Sequence, residues 1–241
     1  MNGKIESALA LLREAAALAP AAFSTSFGAE DMVLLDLIRS HQLPIRIFTL
    51  DTGRLPEETH ALIDRARKRY GLPIDIYAPD ARRLQAFVRT NGVNAFYDSV
   101  ELRKGCCAVR KGEPLSRALV AKGAWITGLR REQSITRAEL AAEEFDAVHG
   151  IPKFNPLADW GTGDVWAYLR ANDVPYNTLH DRGFPSIGCA PCTRAVEAGE
   201  DIRAGRWWWE APEHKECGLH RRAVAAPVVS QSAVAKEAVT P

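Results

Sequence analysis

Apolar and polar positions follow patterns along the first two thirds of the chain that distinguish helices from strands. Residues 5–18 are apolar at helical spacing and rich in alanine, which predicts a helix. Residues 45–50 form a short β-branched run that stops at Asp51-Thr52-Gly53, which predicts a strand ending in a turn. Residues 56–70 predict a helix, because Pro56 and two glutamates stand at its start and basic residues near its end.

The same patterns predict further elements of both kinds. Strands are expected at residues 73–77, 124–129 and 154–157. Helices are expected at residues 32–38, 81–90, 113–122 and 164–171. Strands that alternate with helices predict an α/β fold, in which a mostly parallel sheet carries helices on both faces. Ligands bind such sheets beyond the carboxyl ends of the strands.

Three polar segments fall where ligands are expected to bind: residues 24–31, residues 51–53 and residues 128–131. The first reads Ser-Thr-Ser-Phe-Gly-Ala-Glu-Asp and precedes a predicted helix, so its backbone N–H groups and hydroxyls could face an anion or a sugar. It lacks the lysine of a Walker loop, which argues against an NTP-hydrolysing P-loop. Many turns of this kind are small and polar for steric reasons alone, and that interpretation stays open.

The composition of the chain changes after about residue 176, where the regular spacing of apolar residues ends and Cys, Arg, Trp and Gly become frequent. We predict one domain over residues 1–220, in which residues 176–220 form a loop-rich functional segment. Residues 221–241 are mainly Ala, Val, Ser and Pro without a period, which predicts a flexible tail.

Length and charge narrow the class of protein. The chain has 241 residues, of which 46% are apolar, enough for a core without disulfides. Its net charge of +1 gives no general attraction to nucleic acid or a membrane surface, so neither is an expected partner. No run approaches the ~18–20 apolar residues of a membrane span, and no signal peptide is evident. We therefore expect a cytoplasmic protein, whose thiols stay reduced.

Four of the five cysteines form two close pairs, Cys106-Cys107 and Cys189-Ala-Pro-Cys192. Four thiolates can hold zinc or an iron–sulfur cluster. An adjacent Cys-Cys pair must splay to reach one small ion, whereas a larger cluster offers separate iron corners, so the spacing slightly favours iron–sulfur. Four unlinked thiols, some of them buried as small apolar groups, are the alternative.

The fifth cysteine, Cys217, lies in Glu-Cys-Gly-Leu-His at residues 216–220. Lys215 and His220 supply positive charge that would favour a reactive thiolate. An idle thiol near the tail is the alternative.

Positive charge recurs beside these features, at Arg110-Lys111, Arg130-Arg131, and Arg203 with Arg206. Charged residues usually form a solvated face, but arginine forks also bind phosphate and sulfate oxygens. Residues 207–209 are three tryptophans, which we interpret as an anchor for an irregular loop rather than as a surface for ligand stacking.

Together these motifs resemble the assimilatory sulfonucleotide reductases, in particular the bacterial adenylyl-sulfate (APS) reductases that carry a [4Fe–4S] cluster. The resemblance spans roughly residues 20–220, and Glu-Cys-Gly-Leu-His is its most specific part. It implies an α/β fold like that of the adenine nucleotide α-hydrolases. The resemblance also implies cluster ligands, which are Cys106, Cys107, Cys189 and Cys192.

The resemblance implies three groups of substrate contacts. The adenylyl part would be cradled by the 24–31 turn, with Ser24, Ser26, Phe27 and Gly28. Leu50 and Gly53 would border the adenosine. The phosphosulfate would be surrounded by Lys111, Arg130, Arg203, Arg206 and His220.

The implied reaction is the reduction of APS to sulfite and AMP during sulfate assimilation toward cysteine. Cys217 would attack the sulfate sulfur and form an S-sulfonate, from which thioredoxin or a glutaredoxin-like donor would release sulfite. The cluster would act through local electrostatics and by holding Lys111, rather than by carrying a net electron. A homo-oligomer is possible.

Three other functions remain open at this point. The substrate could be the 3′-phosphorylated form, PAPS, or both nucleotides, although family members that use PAPS generally lack the two cysteine pairs. An ATP-pyrophosphatase or sulfurtransferase would want a Ser-Gly-Gly-x-Asp-Ser loop, from which residues 24–29 depart. A zinc module for nucleic acid would want a basic stripe with interleaved aromatics, which the sequence lacks.

Overall fold

Six strands form one sheet in the computed structural model, which describes residues 1–133 and 137–211. They are β1 Ala21–Thr25, β2 Ile45–Leu50, β3 Ile74–Tyr77, β4 Ala124–Ile126, β5 Glu143–Asp146 and β6 Ile151–Phe154. Across the sheet their order is β3-β2-β1-β4-β6-β5. All neighbouring pairs are parallel except β5 with β6, which is antiparallel at one edge.

Seven α-helices pack around this sheet within the described ranges. They are α1 Asn2–Ala17, α2 Ala29–Ser40, α3 Glu57–Tyr70, α4 Ala81–Asn91, α5 Val100–Cys107, α6 Glu113–Leu119 and α7 Thr162–Ala171. A π-helical turn, Ala108–Gly112, joins α5 to α6. Beyond α7 the described chain contains only short 3₁₀ turns, at Thr178–Arg182 and Ala190–Cys192. None of the described helices combines the length and apolarity needed to cross a membrane.

The predicted α/β fold with a mostly parallel sheet is confirmed. The strand at residues 45–50 has the predicted bounds, and the predicted helices lie within a few residues of their expected positions. The strand predicted at residues 73–77 is β3, whereas β4 ends at Ile126 rather than at residue 129. The last predicted strand was misplaced, since β6 is Ile151–Phe154 rather than residues 154–157. Three elements, β1, α5 and β5, were not predicted, because small, cysteine-containing or acidic segments give no clear period.

The core lies mainly between the sheet and α2, whose residues Met32 to Ile38 are all buried. One of those buried residues is polar: Asp36 accepts hydrogen bonds from Tyr70 Oη at 2.9 Å and Tyr168 Oη at 2.8 Å. Because Tyr70 ends α3 and Tyr168 lies in α7, this carboxylate ties three helices together. Buried polar groups satisfied in this way specify one packing arrangement.

The strand order changes direction at β1. The chain runs from β1 outward through β2 to β3, then returns to place β4 on the other side of β1. A crevice forms at such a switch point, beyond the carboxyl ends of the strands. The segment from β1 to α2, the end of β2 and the end of β4 all open into this crevice.

Candidate active site

A cavity of about 660 Å³ lies at the switch point. Eight of the predicted substrate residues line it: Ser24, Ser26, Gly28, Leu50, Lys111, Arg130, Arg203 and Arg206. Phe27 and Gly53 are not part of its lining, although both neighbour residues that are. Cys217 and His220 lie outside the described residues, as does the predicted tail. The division into a domain and a tail therefore stays a prediction.

The turn between β1 and α2 is held by a buried carboxylate. Asp31 accepts hydrogen bonds from the Ser26 backbone N–H at 2.6 Å and from Ser26 Oγ at 2.8 Å. Burial raises the pKa of Asp31 to about 6, although the Ser26 hydrogen bonds oppose the shift. Gly128 approaches the same carboxylate so closely that a Cβ there would lie 2.1 Å from Asp31 Oδ1. Only glycine fits at this point after β4.

Phe27 turns away from the cavity. Its φ of 59° is in the left-handed region, and its ring is 1% exposed within the main core. Its backbone N–H donates to Thr25 Oγ1 at 3.0 Å. The phenyl ring therefore anchors the turn, and only the backbone of this residue remains to meet a ligand.

Ser24 is oriented by an indole. Trp125 Nε1 donates to Ser24 Oγ at 2.8 Å, and the Trp125 ring is completely buried. The Ser24 hydroxyl makes only a long hydrogen bond within the described residues, to the Ile126 carbonyl at 3.4 Å. Since the indole occupies an acceptor position on the hydroxyl, the hydroxyl is set to donate to an acceptor in the cavity.

The predicted cations differ in their surroundings. Arg130 is 4% exposed at its side chain, and Nε and Nη2 donate to Glu30 Oε1 at 2.9 and 2.7 Å. Its Nη1 donates to the Trp160 carbonyl at 3.0 Å. This guanidinium is therefore already neutralised, and its predicted contact with phosphosulfate competes with Glu30. Arg137, outside the predicted site set, also lines the cavity and donates to Gln133 Oε1 at 2.6 Å.

A second, smaller cavity adjoins the first, and all four paired cysteines line it. Cys106 and Cys107 end α5, whereas Cys189 precedes the 3₁₀ turn Ala190–Cys192 and Cys192 ends it. The cysteines are free thiols, and Thr52 Oγ1 lies 3.2 Å from Cys189 Sγ. The fold thus brings together two cysteine pairs that are more than eighty positions apart in the sequence.

The protonation of these thiols reflects their burial. Burial raises the pKa of Cys106, while the Arg110 guanidinium works in the opposite direction. Burial raises the pKa of Cys192 to about 12, and the neighbouring Cys189 adds to the shift. Thiolates so close together need compensating positive charge, which a bound metal supplies.

Three buried donors beside the thiols have no hydrogen-bond partner among the described residues: Arg110 Nε, Arg206 Nε and Trp207 Nε1. All three side chains line the cysteine cavity. Within residues 1–133 and 137–211, no three His, Cys, Asp or Glu side chains are placed to hold a single metal ion. An iron–sulfur cluster has several iron corners and sulfur acceptors, so thiol ligands with unpartnered N–H donors fit it better than zinc.

The two cavities share part of their walls. Lys111, Cys189, Arg206 and Trp207 line both of them. Lys111 reaches this shared wall because the π-helical turn Ala108–Gly112 carries Arg110 and Lys111 shortly after the Cys106-Cys107 pair. A group bound by the cysteines would therefore lie next to Lys111 and Arg206 at the edge of the larger cavity.

Sequence analysis missed several residues that shape the site. Arg103 forms a buried ion pair with Glu210, and Arg54 lies 5.1 Å from the centre of the Phe96 ring. Thr52 and Trp125 hold Cys189 and Ser24 as described above. Neither Arg103 nor Trp125 carries a local sequence signal, because their partners are about a hundred positions away.

Comparison with known proteins identifies relatives of this arrangement. Residues 20–195 match the phosphoadenosine phosphosulfate reductase domain. An adenosine 5′-phosphosulfate reductase of Allochromatium vinosum is 62% identical over 203 residues, which cover 84% of this chain and 79% of that protein. One of Burkholderia cepacia is 61% identical, over 82% of this chain and 79% of that protein.

Solved structures agree on the fold. A phosphoadenylyl-sulfate (PAPS) reductase from Candida auris superposes with a TM-score of 0.66 at 30% identity, over 78% of this chain and 90% of that one. An NH3-dependent NAD synthetase from Campylobacter jejuni shares the fold alone, with a TM-score of 0.53 at 12% identity, over 75% of this chain and 76% of that one. From its sequence match and its fold, the chain belongs to the phosphoadenosine phosphosulfate reductase domain family.

Proposed function

We propose that this chain reduces adenylyl sulfate (APS) to sulfite and AMP, through an S-sulfonate on Cys217 that a thioredoxin or glutaredoxin-like dithiol resolves. The observation that carries the proposal is the shared wall between the nucleotide cavity and the four-cysteine cavity. The two relatives described above, both named adenosine 5′-phosphosulfate reductase, support APS as the nucleotide. A role in sulfate assimilation and a cytoplasmic location follow from the same family membership as proposals.

Binding would divide the substrate between two ends of the cavity. The 24–28 turn offers Ser24 Oγ and backbone groups to the adenylyl part. Lys111, Arg203 and Arg206 line the cavity and supply the positive charge that a phosphosulfate requires. Such preorganised cations also stabilise the charge that develops on the departing phosphate oxygen.

The chemistry needs one nucleophile and two external electrons. The Cys217 thiolate attacks the sulfate sulfur, and the bond from that sulfur to the bridging phosphate oxygen breaks, so that AMP leaves with the electron pair. A thiol of the dithiol donor then attacks Cys217 Sγ, and sulfite leaves. The donor's second thiol releases Cys217 as a thiol while the donor becomes a disulfide.

We further propose that Cys106, Cys107, Cys189 and Cys192 hold a [4Fe–4S] cluster. Bound there, it would supply a fixed charge distribution beside the anionic end of the substrate. Support comes from the four thiols around one cavity and from the unpartnered donors of Arg110, Arg206 and Trp207. Anaerobically purified protein should contain about four irons and four sulfides per chain. Stoichiometric zinc without iron would contradict the assignment.

Sulfite release tests the reaction directly. Anaerobically purified protein is incubated with thioredoxin and either APS or PAPS, and we expect sulfite from APS with at least tenfold higher kcat/KM. Preference for PAPS would support the alternative substrate within the family. Release of pyrophosphate from ATP, with no sulfite from either nucleotide, would point to an ATP-pyrophosphatase instead.

The nucleophile is tested by separating the two half-reactions. Radiolabelled APS should label the wild-type protein without thioredoxin, and thioredoxin should then discharge the label as sulfite. Cys217→Ser should keep its iron content and nucleotide binding but acquire no label. A labelled or active Cys217→Ser protein with intact iron would show that another group attacks.

A further inference from the structure

A buried ion pair between Arg103, which lines the cysteine cavity, and Glu210 joins α5 to the last described turn of the chain. Arg103 Nε and Nη2 donate to Glu210 Oε1 and Oε2 at 2.9 and 2.7 Å. The two side chains are 0% and 3% exposed. Apolar replacements of a buried pair are often equally stable or more stable, because desolvation offsets much of the attraction. Stability alone is therefore a weak explanation for this pair.

Trp207 contacts two guanidinium groups, those of Arg103 and Arg206. The Arg103 guanidinium carbon lies 4.6 Å from the centre of the indole, and that of Arg206 lies 4.7 Å from it. Trp207 is 1% exposed and has a φ of 42°, a conformation that bulky residues rarely adopt. The Glu210 backbone N–H donates to the Trp207 carbonyl at 2.9 Å, which closes the turn that carries the carboxylate.

Trp207 in turn belongs to the wall that the two cavities share. Its backbone N–H donates to the Cys192 carbonyl at 3.2 Å, so the indole is tied to the second cysteine pair as well. Arg206 lines both cavities, and within residues 1–133 and 137–211 its guanidinium hydrogen-bonds at long range, to Ser186 Oγ at 3.4 Å and the Ile187 carbonyl at 3.3 Å. Stacking on Trp207 is thus a main constraint on where this guanidinium lies.

Gly188 limits the other side of Arg206. A Cβ at Gly188 would lie 2.3 Å from Arg206 Nη2, so the guanidinium passes directly against the backbone there. Arg206 is therefore confined between a backbone without a side chain and an indole that Arg103 and Glu210 hold. Displacing the indole would release the guanidinium from one of its two walls.

We propose that Arg103 and Glu210 are positioning residues that fix Trp207 and, through it, the Arg206 guanidinium at the anionic end of the nucleotide cavity. The inference rests on the proposed role of Arg206 in substrate binding. Neither residue of the pair lines the nucleotide cavity, so each acts through another side chain. Arg103 lies on α5, three residues before Cys106. The Arg103–Glu210 ion pair therefore links both cysteine pairs to Arg206, the cation proposed to bind substrate.

The first test removes both charges together. Arg103→Met/Glu210→Leu leaves no unpaired buried charge, so the holoenzyme should keep its iron content and a Tm close to that of the wild type. Its KM for APS should rise at least tenfold with a smaller change in kcat, as expected for lost ground-state binding. A stable double variant with wild-type KM would overturn the proposal.

The second test asks whether the pair acts through Arg206. Glu210→Gln should raise KM about tenfold in the wild-type background and less than twofold in an Arg206→Ala background. Equal effects in both backgrounds would show that Glu210 acts independently, which would overturn the inference. A wild-type KM in Arg206→Ala alone would instead remove the proposed binding role of Arg206, and the inference with it.

Binding without turnover provides a readout besides activity. Calorimetric affinity for APS, measured in a Cys217→Ala background, should follow the same pattern as KM. Asp36→Asn is the matched control, since Asp36 is also a buried carboxylate that accepts two side-chain hydrogen bonds. It should lower Tm without changing the affinity for APS, whereas a similar loss of affinity in this control would mean that the Glu210 effect is general.

Discussion

The cationic side chains that line the nucleotide cavity differ in their surroundings within the protein. Arg130 donates to Glu30, Trp160 and Thr162, and its side chain is almost fully buried. Lys111 lies at the border of both cavities, on the π-helical turn that follows the cysteine pair. Cations with the same formal charge are therefore expected to contribute differently to binding and to folding.

Lys111→Ala and Arg130→Ala should separate these two contributions. Lys111→Ala should lower kcat/KM for APS by an amount equivalent to about 1–3 kcal/mol of activation free energy, the scale of a lost charge-assisted hydrogen bond. Arg130→Ala should lower the free energy of unfolding by roughly 3 kcal/mol, because it leaves Glu30 without its partner. Steady-state kinetics and denaturant titrations measure both quantities. If Arg130→Ala lost more in kcat/KM, expressed as free energy, than in the free energy of unfolding, Arg130 would act mainly in binding and this prediction would be wrong.

Asp31 predicts a pH dependence of stability. Its folded-state pKa of about 6 is above the ordinary value, so the folded protein binds this proton more tightly than the unfolded chain does. The stability it contributes is complete below about pH 4 and is lost as pH rises through 6. Asp31→Asn should therefore gain on the wild type by on the order of 3 kcal/mol between pH 4 and 7.

Denaturant unfolding of both proteins across this range checks the prediction. The variant keeps the turn, because both Ser26 donors share one oxygen, Asp31 Oδ2, and an amide oxygen also has two lone pairs to accept them. A difference in stability that does not change with pH would be inconsistent with a raised Asp31 pKa.

Among the helices and strands, hydrophobic periodicity predicted those with a regular apolar pattern and missed those without one. Residues 45–50 were predicted with the correct bounds because a β-branched run between polar turns has one common interpretation. Helix α5 and the π-helical turn were not predicted, since Gly105 and the adjacent cysteines interrupt any helical period. Such π-helical turns often occur at functional sites, where they redirect side chains. The sequence identified the cysteines and Lys111, but not the element that presents them.

Three helices depend on one carboxylate in the core. Asp36→Ala would leave the Tyr70 and Tyr168 hydroxyls buried without an acceptor and should cost roughly 2–5 kcal/mol of unfolding free energy. Tyr70→Phe and Tyr168→Phe should each cost only about 1 kcal/mol, because each removes one hydrogen bond and leaves Asp36 one donor. Chemical denaturation of the three variants measures the ranking. Equal effects would mean that the tyrosines do not share this acceptor.

For the whole molecule, the sequence predicted the class of fold and the edge where the site lies. Alternating elements imply a parallel sheet, and a parallel sheet places its sites beyond the carboxyl ends of its strands. Contacts between distant segments could not be derived in the same way. Arg103 and Glu210 are 107 positions apart, and Thr52 and Cys189 are 137 apart, so only the folded chain reveals that they meet.

The four cysteines come from two parts of the chain that are far apart in sequence, and this predicts how the molecule responds to loss of the proposed cluster. Cys106 and Cys107 belong to α5, whereas Cys189 and Cys192 belong to the segment without regular elements beyond α7. Metal binding at such a junction contributes directly to folding free energy. Anaerobic removal of iron should therefore lower Tm and expose residues 177–211 to proteolysis before the sheet is cleaved.

Early cleavage is expected in residues 177–211 and not in the sheet, because the two differ in how they are packed. The sheet and α2 have their own apolar core, which does not include the cysteines, so cleavage should spare the sheet and α2 at first. Limited proteolysis with mass spectrometry, on iron-loaded and iron-depleted protein, locates the first cuts. Cys192→Ser should reproduce the depleted pattern, while Cys217→Ser should retain the loaded one. Identical cleavage of loaded and depleted protein would show that the cysteine site does not hold this segment to the rest of the fold.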